Sequence, residues 1–283
     1  DMIFMDAAKG QYIHFLDSDD LLEPSALEEL YEAANSRNLD VLYFDGRAIY
    51  ENPDLEYKHP YYSTAYEYSS DVPDVMTGSQ LFAQMRGDRK YRVSPCLAIY
   101  RRGYILQKKL RFFEGINHED NIFTFACMLY ADRVSHVKGK YLLRRVHAHS
   151  IMTAKPTFLH SYGYLTACMQ IYEVIKTIPY DKELYGVMTA ELESNVRLAQ
   201  GCFGQLEDVG AVLKRLNELE RFYYQYVISK TSELVTQERL KKEKRMSCIS
   251  KKIKGGILCC QDHGYIYTTR YFFQKIRFRF LKH

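Results

Sequence analysis

The chain has 283 residues, of which 47% are hydrophobic and 26% are charged, and its formal net charge is +4. These proportions are typical of a soluble globular protein with one large domain or two smaller ones. No apolar run approaches the roughly 20 residues that a membrane-spanning helix needs, and we expect no signal peptide at the N-terminus.

Alternating strand and helix patterns run through the first part of the chain. The segment 11–16 is apolar and β-prone, and it ends abruptly in the acidic sequence "DSDD". Apolar residues at helical spacing then predict a helix over 24–36, and "DVLYFDGRAIY" predicts a second strand over 40–50. This alternation favours a layered α/β fold, in which we expect a parallel sheet.

Further elements follow in chain order. A long surface loop is predicted over 51–75, and a short helix opened by a capping box over 77–85. A strand that turns into a helix is predicted over 94–109. An amphipathic helix over 118–131 and two strands over 134–137 and 140–146 follow. Helical periodicity dominates from about 157 to 235, which indicates about three helices. We therefore divide the chain into an α/β region over 1–152, a helical domain over 153–238 and a basic aromatic tail over 239–283.

The acidic turn after the first strand is the first candidate site. Asp17 and Asp19 lie one residue apart where a strand ends, and such ends line the ligand crevice of open α/β sheets. Paired carboxylates of this kind can hold Mg²⁺ or Mn²⁺ together with phosphate oxygens. The alternative is that Asp19 or Asp20 caps the helix over 24–36. The segment does not match an EF-hand calcium loop, because Leu21 stands where that loop has a calcium ligand and Leu22 stands where it has the turn glycine.

A second acidic group opens the amphipathic helix over 118–131. Asn117 can act as the N-cap with Asp120 at the third helical position, so helix capping explains the pattern. The same geometry also suits catalysis, since a carboxylate at a helix N-terminus stays ionised and can serve as a general base. Both interpretations remain open from these residues alone.

In combination, three segments resemble the family 2 glycosyltransferases, which are inverting enzymes of the GT-A fold. The matching segments are "AKGQYIHFLDSDDLLEP", "LRFFEGINHEDNIFTFACMLYADRVSHV" and "YLLRRVHAHSIM". The resemblance implies that Asp17 and Asp19 hold the metal and the nucleotide sugar, with Asp20 as a looser neighbour. It implies that Asp120 is the catalytic base and that the adjacent Glu119 faces the acceptor.

The resemblance assigns the third segment less specifically. Arg144, Arg145 and His147 lie where such enzymes approach the diphosphate, although the two arginines also fit solvated positions on a strand. The family begins with a strand–helix–strand region that this chain lacks, so 1–152 resembles the C-terminal half of a GT-A domain. We therefore expect little or no transferase activity from this chain alone.

The implied function is transfer of a sugar, with inversion, from a UDP-sugar to a glycan or lipid-linked acceptor in bacterial surface polysaccharide synthesis. The implied cofactor is Mn²⁺ or Mg²⁺. The alternative is a non-catalytic remnant that acts as a membrane-associated binding module. A phosphatase built on the acidic turn fits less well, because Leu21 stands where that motif has threonine or valine.

The tail over 239–283 carries 13 Lys and Arg against two acidic residues, so the rest of the chain carries a net −7. If 264–283 is helical, aromatic side chains cluster on one side between cations, which suits an anionic membrane surface. A helix packed on the acidic body is an equal alternative. We expect no nucleic-acid partner, because no such motif accompanies the charge, and we expect a cytoplasmic protein, peripheral on the inner face of the plasma membrane.

Overall fold

Five strands form one mixed sheet in the computed structural model of the protein. The structure describes residues 7–68, 74–147 and 156–205, together with the single residues Met5, Val72, Lys214, Glu218 and Arg221. Asp1–Leu216 form one compact unit, and Asn217–His283 form a second. The predicted tail therefore lies outside the described residues, and the predicted domain boundaries remain predictions.

The sheet is built around its third strand. In chain order the strands are β1 (Tyr12–His14), β2 (Leu21–Leu22), β3 (Val41–Tyr50), β4 (Ala98–Arg101) and β5 (Val134–Val146). Their order across the sheet is β1-β4-β3-β5-β2. Within this sheet β3 and β5 run parallel, and the other neighbours are antiparallel. The α/β prediction is confirmed, but the sheet is mixed and not parallel, because β1, β4 and β2 pair antiparallel with their neighbours.

Helices connect and cover the strands. In chain order they are α1 (Ala26–Ser36), α2 (Pro53–Lys58), α3 (Tyr62–Ala65), α4 (Gly78–Gly87), α5 (Arg102–Gln107), α6 (Glu119–Leu129), α7 (Phe158–Thr177) and α8 (Lys182–Phe203), with a 3₁₀ turn at Pro95–Leu97 before β4. Helix α1 packs on β3, α4 packs against α6 and α8, and α7 packs between α6 and α8. Among the described residues, no helix is long and apolar enough to cross a membrane.

Two predicted elements differ from the structure. The expected loop over 51–75 contains α2 and α3, and the signal for α2 is present in the sequence: Asn52 caps it by accepting a hydrogen bond from the Leu55 backbone N–H at 3.0 Å, and Pro53 follows at the first position. The two strands expected over 134–146 are one strand, β5, whose pairing with β3 shifts register at Asp45.

Two buried carboxylates hold the sheet together. Asp40, just before β3, pairs with Arg101 on β4 and accepts hydrogen bonds from the backbone N–H groups of Asp132 and Arg133, both at 3.0 Å. Asp45 lies at the register shift and accepts a hydrogen bond from the Tyr68 backbone N–H at 2.8 Å. A buried carboxylate without partners would be costly. The bonds of Asp40 therefore fix the ends of β3, β4 and β5 next to one another, and the bond of Asp45 fixes Tyr68 to the middle of β3.

An aromatic cluster links β1 to α6. Phe15 follows β1, and its ring makes edge contacts with the rings of Tyr100, Phe112 and Phe123 at 5.6, 5.1 and 5.3 Å between centroids. Phe112 stacks on Phe123 at 4.0 Å. Phe123 lies one turn into α6, so this cluster connects the acidic turn to the helix that carries Glu119 and Asp120.

Gly78 is required where α4 begins. A Cβ at this position would overlap the carbonyl oxygen of Met128 and would lie 2.8 Å from its carbonyl carbon. Both atoms belong to the backbone of α6, which cannot swing away as a flexible side chain can. The first turn of α4 can therefore approach α6 this closely only with glycine.

We expect Gly78→Ala to destabilise the fold by about 2–4 kcal/mol, as strained or overpacked substitutions do. Gly87→Ala, at the other end of the same helix, places its methyl group in open space and is the matched control. Urea unfolding of the two variants measures the difference. Equal stabilities for both variants would show that the contact between α4 and α6 is not tight.

Candidate functional site

The acidic turn begins three residues beyond the end of β1. The Asp20 backbone N–H donates to the Asp17 carbonyl oxygen at 3.1 Å, which closes the turn. The aromatic contacts of Phe15 fix the chain that enters the turn, and β2 pairs with β5 directly after it. The turn is therefore anchored on both sides and lies beside the end of β5.

Asp20 ties the turn to β5. Its side chain is 2% exposed, its Oδ1 accepts a hydrogen bond from the Arg145 backbone N–H at 2.9 Å, and its Oδ2 lies 3.6 Å from Arg144 Nη1. Burial raises the pKa of the Asp20 carboxyl, while the Arg145 N–H and the Arg144 charge lower it. The geometry gives Asp20 a structural role in shaping the turn, and its carboxylate points at β5.

Asp17 and Asp19 present exposed carboxylates beside two cationic or basic groups. Arg144 Nη1 lies 3.3 Å from Asp17 Oδ2, and His147 Nε2 lies 3.0 Å from Asp19 Oδ2. The hydrogen bond from His147 is the largest cause that lowers the pKa of Asp19. Both carboxylates are about half exposed, so a ligand can reach them.

Arg144 occupies the centre of this group. Besides Asp17 and Asp20, its guanidinium carbon lies 5.8 Å from the centroid of the Tyr66 ring, in the range of a cation–π contact. Burial raises the pKa of Tyr66 to about 12, and it likewise raises the pKa of the nearby Cys96 thiol to about 12. Tyr66 and Cys96 were missed in the sequence, because no local pattern connects them to the acidic turn.

Arg145 binds the acidic turn through its backbone N–H, which donates to Asp20, and its side chain is exposed.

Neither Asp19 nor Asp20 is the N-cap of the helix that follows the acidic turn. The N-cap of α1 is Ser25, and the Asp20 carboxylate bonds to β5 instead of to the helix. Asp19 bonds to His147, so the acidic turn faces β5 and the residue that follows it.

Asp120 and Glu119 open α6, but the cap differs from the prediction. The N-cap is His118, which adopts the left-handed conformation (φ 67°), and Glu119 is the first helical residue. The Asn121 side chain donates to Asp120 Oδ1 at 3.2 Å. Burial and, to a smaller extent, the Glu119 charge raise the pKa of Asp120 from its ordinary 3.8 to about 6, while hydrogen bonds from Asn121 and the charge of Arg144 act in the opposite direction. Arg144 therefore lies within electrostatic range of both predicted acidic groups.

Among the described residues, no group of three or more His, Cys, Asp or Glu side chains is arranged to hold a metal ion. A divalent ion that is shared with a diphosphate needs fewer protein ligands, since Mg²⁺ is commonly held by one or two side chains, phosphates and water.

A polar cleft lies at the carboxyl end of β3. Its volume is about 440 Å³, within the usual range for small-molecule sites. The lining residues belong to β3, α2 and α3, namely Arg47, Ala48, Ile49, Tyr50, Glu51, Asn52, Pro53, Glu56 and Ser63. Residues 48–50 pair with 144–146 of β5, so the cleft and the acidic turn lie at the same end of the sheet.

The α/β fold is the one that the resemblance of the motifs implies, and Arg144 contacts Asp17 and Asp20 of the acidic turn while its charge lowers the pKa of Asp120. Residues 2–125, a little less than half of the chain, match the model of glycosyl transferase family 2. The resemblance inferred from the motifs is therefore confirmed.

Two curated relatives are named as glycosyltransferases. EpsH of Bacillus subtilis (strain 168), which is named as a glycosyltransferase, is 28% identical over 188 residues, covering 64% of this chain and 51% of the relative. YibD of Escherichia coli (strain K12), an uncharacterized glycosyltransferase, is 23% identical over 165 residues, covering 56% and 43%. The chain thus spans about half the length of the curated relatives that it matches.

Solved structures of one protein are also similar. S. aureus TarS 1–349 in complex with UDP-GlcNAc has 15% sequence identity and a TM-score of 0.47, covering 81% of this chain and 59% of that chain. The same TarS segment in complex with UDP has 14% identity and a TM-score of 0.44.

The raised pKa of Asp120 has a consequence for stability. Folding favours the protonated form, so the stabilising contribution is complete below pH 3.8 and is lost as the pH rises through about 6. At pH 8 Asp120→Asn should therefore stabilise the fold by about 1–3 kcal/mol, with little effect near pH 4. Thermal melts at both pH values measure this, with the exposed Glu32→Gln on α1 as the control. A stability gain that does not depend on pH would contradict the burial of an ionised carboxylate.

Proposed function

We propose that this chain is part of an inverting glycosyltransferase that transfers a sugar from a UDP-sugar to a glycan or lipid-linked acceptor in bacterial surface polysaccharide synthesis. The observation that supports this most is the position of Arg144. It contacts Asp17 and Asp20 in the acidic turn, and its charge also reaches Asp120 on α6. A transferase needs a donor-binding group and a base at one site, and these residues supply both.

Donor binding is assigned to the acidic turn and the end of β5. Asp19 and Asp17, with His147, would hold Mn²⁺ or Mg²⁺, which supplies positive charge to the leaving diphosphate. Arg144 is assigned to the same diphosphate, because its guanidinium lies against Asp17 and Asp20 of the acidic turn. Arg145, whose side chain is exposed, is assigned a weaker contact.

Base catalysis is assigned to Asp120. With a pKa of about 6 it is largely ionised at neutral pH, yet it is basic enough to accept a proton. It takes the proton of the acceptor hydroxyl as that oxygen bonds to the anomeric carbon. The bond from the anomeric carbon to the diphosphate oxygen breaks on the opposite face, which inverts the configuration. Glu119, beside it, is assigned to the acceptor.

Titration of UDP into the chain tests the donor site directly. Binding is the chosen measurement because we expect little turnover from this chain alone. We expect isothermal titration to show binding with Mn²⁺ that disappears in EDTA, and Asp19→Asn to weaken it at least tenfold, since one metal ligand is lost. Glu32→Gln is the matched control and should bind as the wild type does.

Each other outcome of the titration would contradict part of the proposal. Binding of equal strength in EDTA would remove the metal from the donor site. No binding under either condition would contradict nucleotide recognition by this chain, and would favour the non-catalytic alternative.

Replacement of the base tests the chemistry. On the protein as its gene encodes it, Asp120→Asn should lower kcat by about 10²–10⁴, because the amide accepts no proton. UDP affinity should stay within about twofold of the wild type, since the acidic turn is untouched. Near-normal turnover by this variant would show that another group is the base.

A further inference from the structure

The first turns of α7 lie directly against the segment that carries the proposed base. Gly163 meets the backbone of Asn117, where a Cβ would overlap the carbonyl oxygen and lie 2.9 Å from the carbonyl carbon. No side chain separates the two backbones. The backbone of α7 at Gly163 is therefore in direct contact with the backbone of Asn117, three residues before Asp120.

A second contact holds the next residue along. The ring of Tyr164 stacks on the ring of His118, with centroids 3.8 Å apart and an angle of 15° between the planes. The ring of His160 lies 5.4 Å from the same imidazole. Residues His160, Gly163 and Tyr164 of α7 thus contact Asn117 and His118, which directly precede Glu119.

The conformation that these contacts hold is a strained one. His118 has φ 67° and ψ 28°, a region that costs a residue with a Cβ roughly 1–2 kcal/mol. Such strain persists only where the surroundings enforce it, and it concentrates at functional sites. Burial lowers the pKa of His118 to about 4, so the ring is neutral at pH 7 and adds no positive charge beside Asp120.

The start of α7 is itself fixed. Thr157 and His160 form a capping box, in which the Thr157 backbone N–H donates to His160 Nδ1 at 3.1 Å. The Ser161 hydroxyl donates to the Ala199 carbonyl oxygen on α8 at 3.0 Å. The surface presented to Asn117 and His118 is therefore rigid, as a positioning element requires.

We propose that Gly163 and Tyr164 of α7 are positioning residues for the general base: by holding Asn117 and His118, they set the direction in which α6 presents the Asp120 carboxylate to the acceptor. This inference rests on the proposed function, and it gives the helical segment that follows the sheet a part in the reaction. Neither residue needs to touch donor or acceptor.

Gly163→Ala is the direct test, because the added methyl group must displace the Asn117 backbone. On the protein as its gene encodes it, we expect kcat to fall at least tenfold, while the KM for the nucleotide sugar and the affinity for UDP stay within about twofold. Gly186→Ala on α8, where a methyl group meets open space, is the matched control and should keep full turnover.

A second pair of variants keeps the test sound if Gly163→Ala fails to fold. Tyr164→Phe keeps the stacked ring and should restore the kcat that Tyr164→Leu loses. Amide resonances of 117–121 in ¹H–¹⁵N spectra should move in Gly163→Ala and Tyr164→Leu, and stay in place in the Gly186→Ala control.

The outcomes separate the inference from the proposed function. An absence of turnover by the wild-type protein as its gene encodes it overturns both the inference and the proposed function. An active wild type with unchanged kcat in folded Gly163→Ala or in Tyr164→Leu overturns the inference alone. A loss of kcat matched by an equal loss of UDP affinity also overturns it, because general damage to the fold would act on both halves of the site.

Discussion

The contact of Phe15 with the rings around it is the interaction on which the site depends. Phe15 lies two residues before Asp17, and Phe123 lies three residues after Asp120, so one aromatic cluster spaces the two acidic groups. Large buried rings stabilise strongly and have few alternative arrangements. Polar groups alone could not fix this spacing, since exposed ion pairs contribute little. The apolar cluster therefore sets the geometry, and the charged residues use it.

Charge balance at the acidic turn is the second constraint. Carboxylates within one short turn repel one another, and in the structure the positive charge of Arg144 offsets that repulsion, while His147 donates a hydrogen bond to Asp19. The same two side chains are assigned to the donor in the proposed reaction. Donor binding would then exchange partners within the site: the positive charge of a metal would face the carboxylates, and Arg144 would face the diphosphate.

Local signals made much of the fold predictable. The helical spacing that predicted α1 and the capping box of Thr77 with Gln80 depend on neighbours within one or two turns, and both elements are present in the structure. Of the apolar residues that gave this spacing, Ala26, Leu30 and Ala34 are buried, whereas Leu27 and Tyr31 are exposed. The family motifs located the acidic residues for the same reason. Contacts between distant segments gave no such signal. The left-handed His118, the Tyr66 ring over Arg144 and the approach of Gly163 to Asn117 each depend on residues far apart in sequence, so they emerged only from the structure.

The parallel pairing of β3 with β5 has a consequence for the order in which the chain folds. The chain between them includes α2 to α6 and β4, so this pair closes a long loop, and such contacts form slowly. The end of β5 also carries the partners of the acidic turn. During synthesis the turn must therefore wait, with its carboxylates unpaired, until the ribosome has released residues 144–147, and α7 emerges after them. The earliest translated part of the site thus depends on partners that are translated more than 120 residues later.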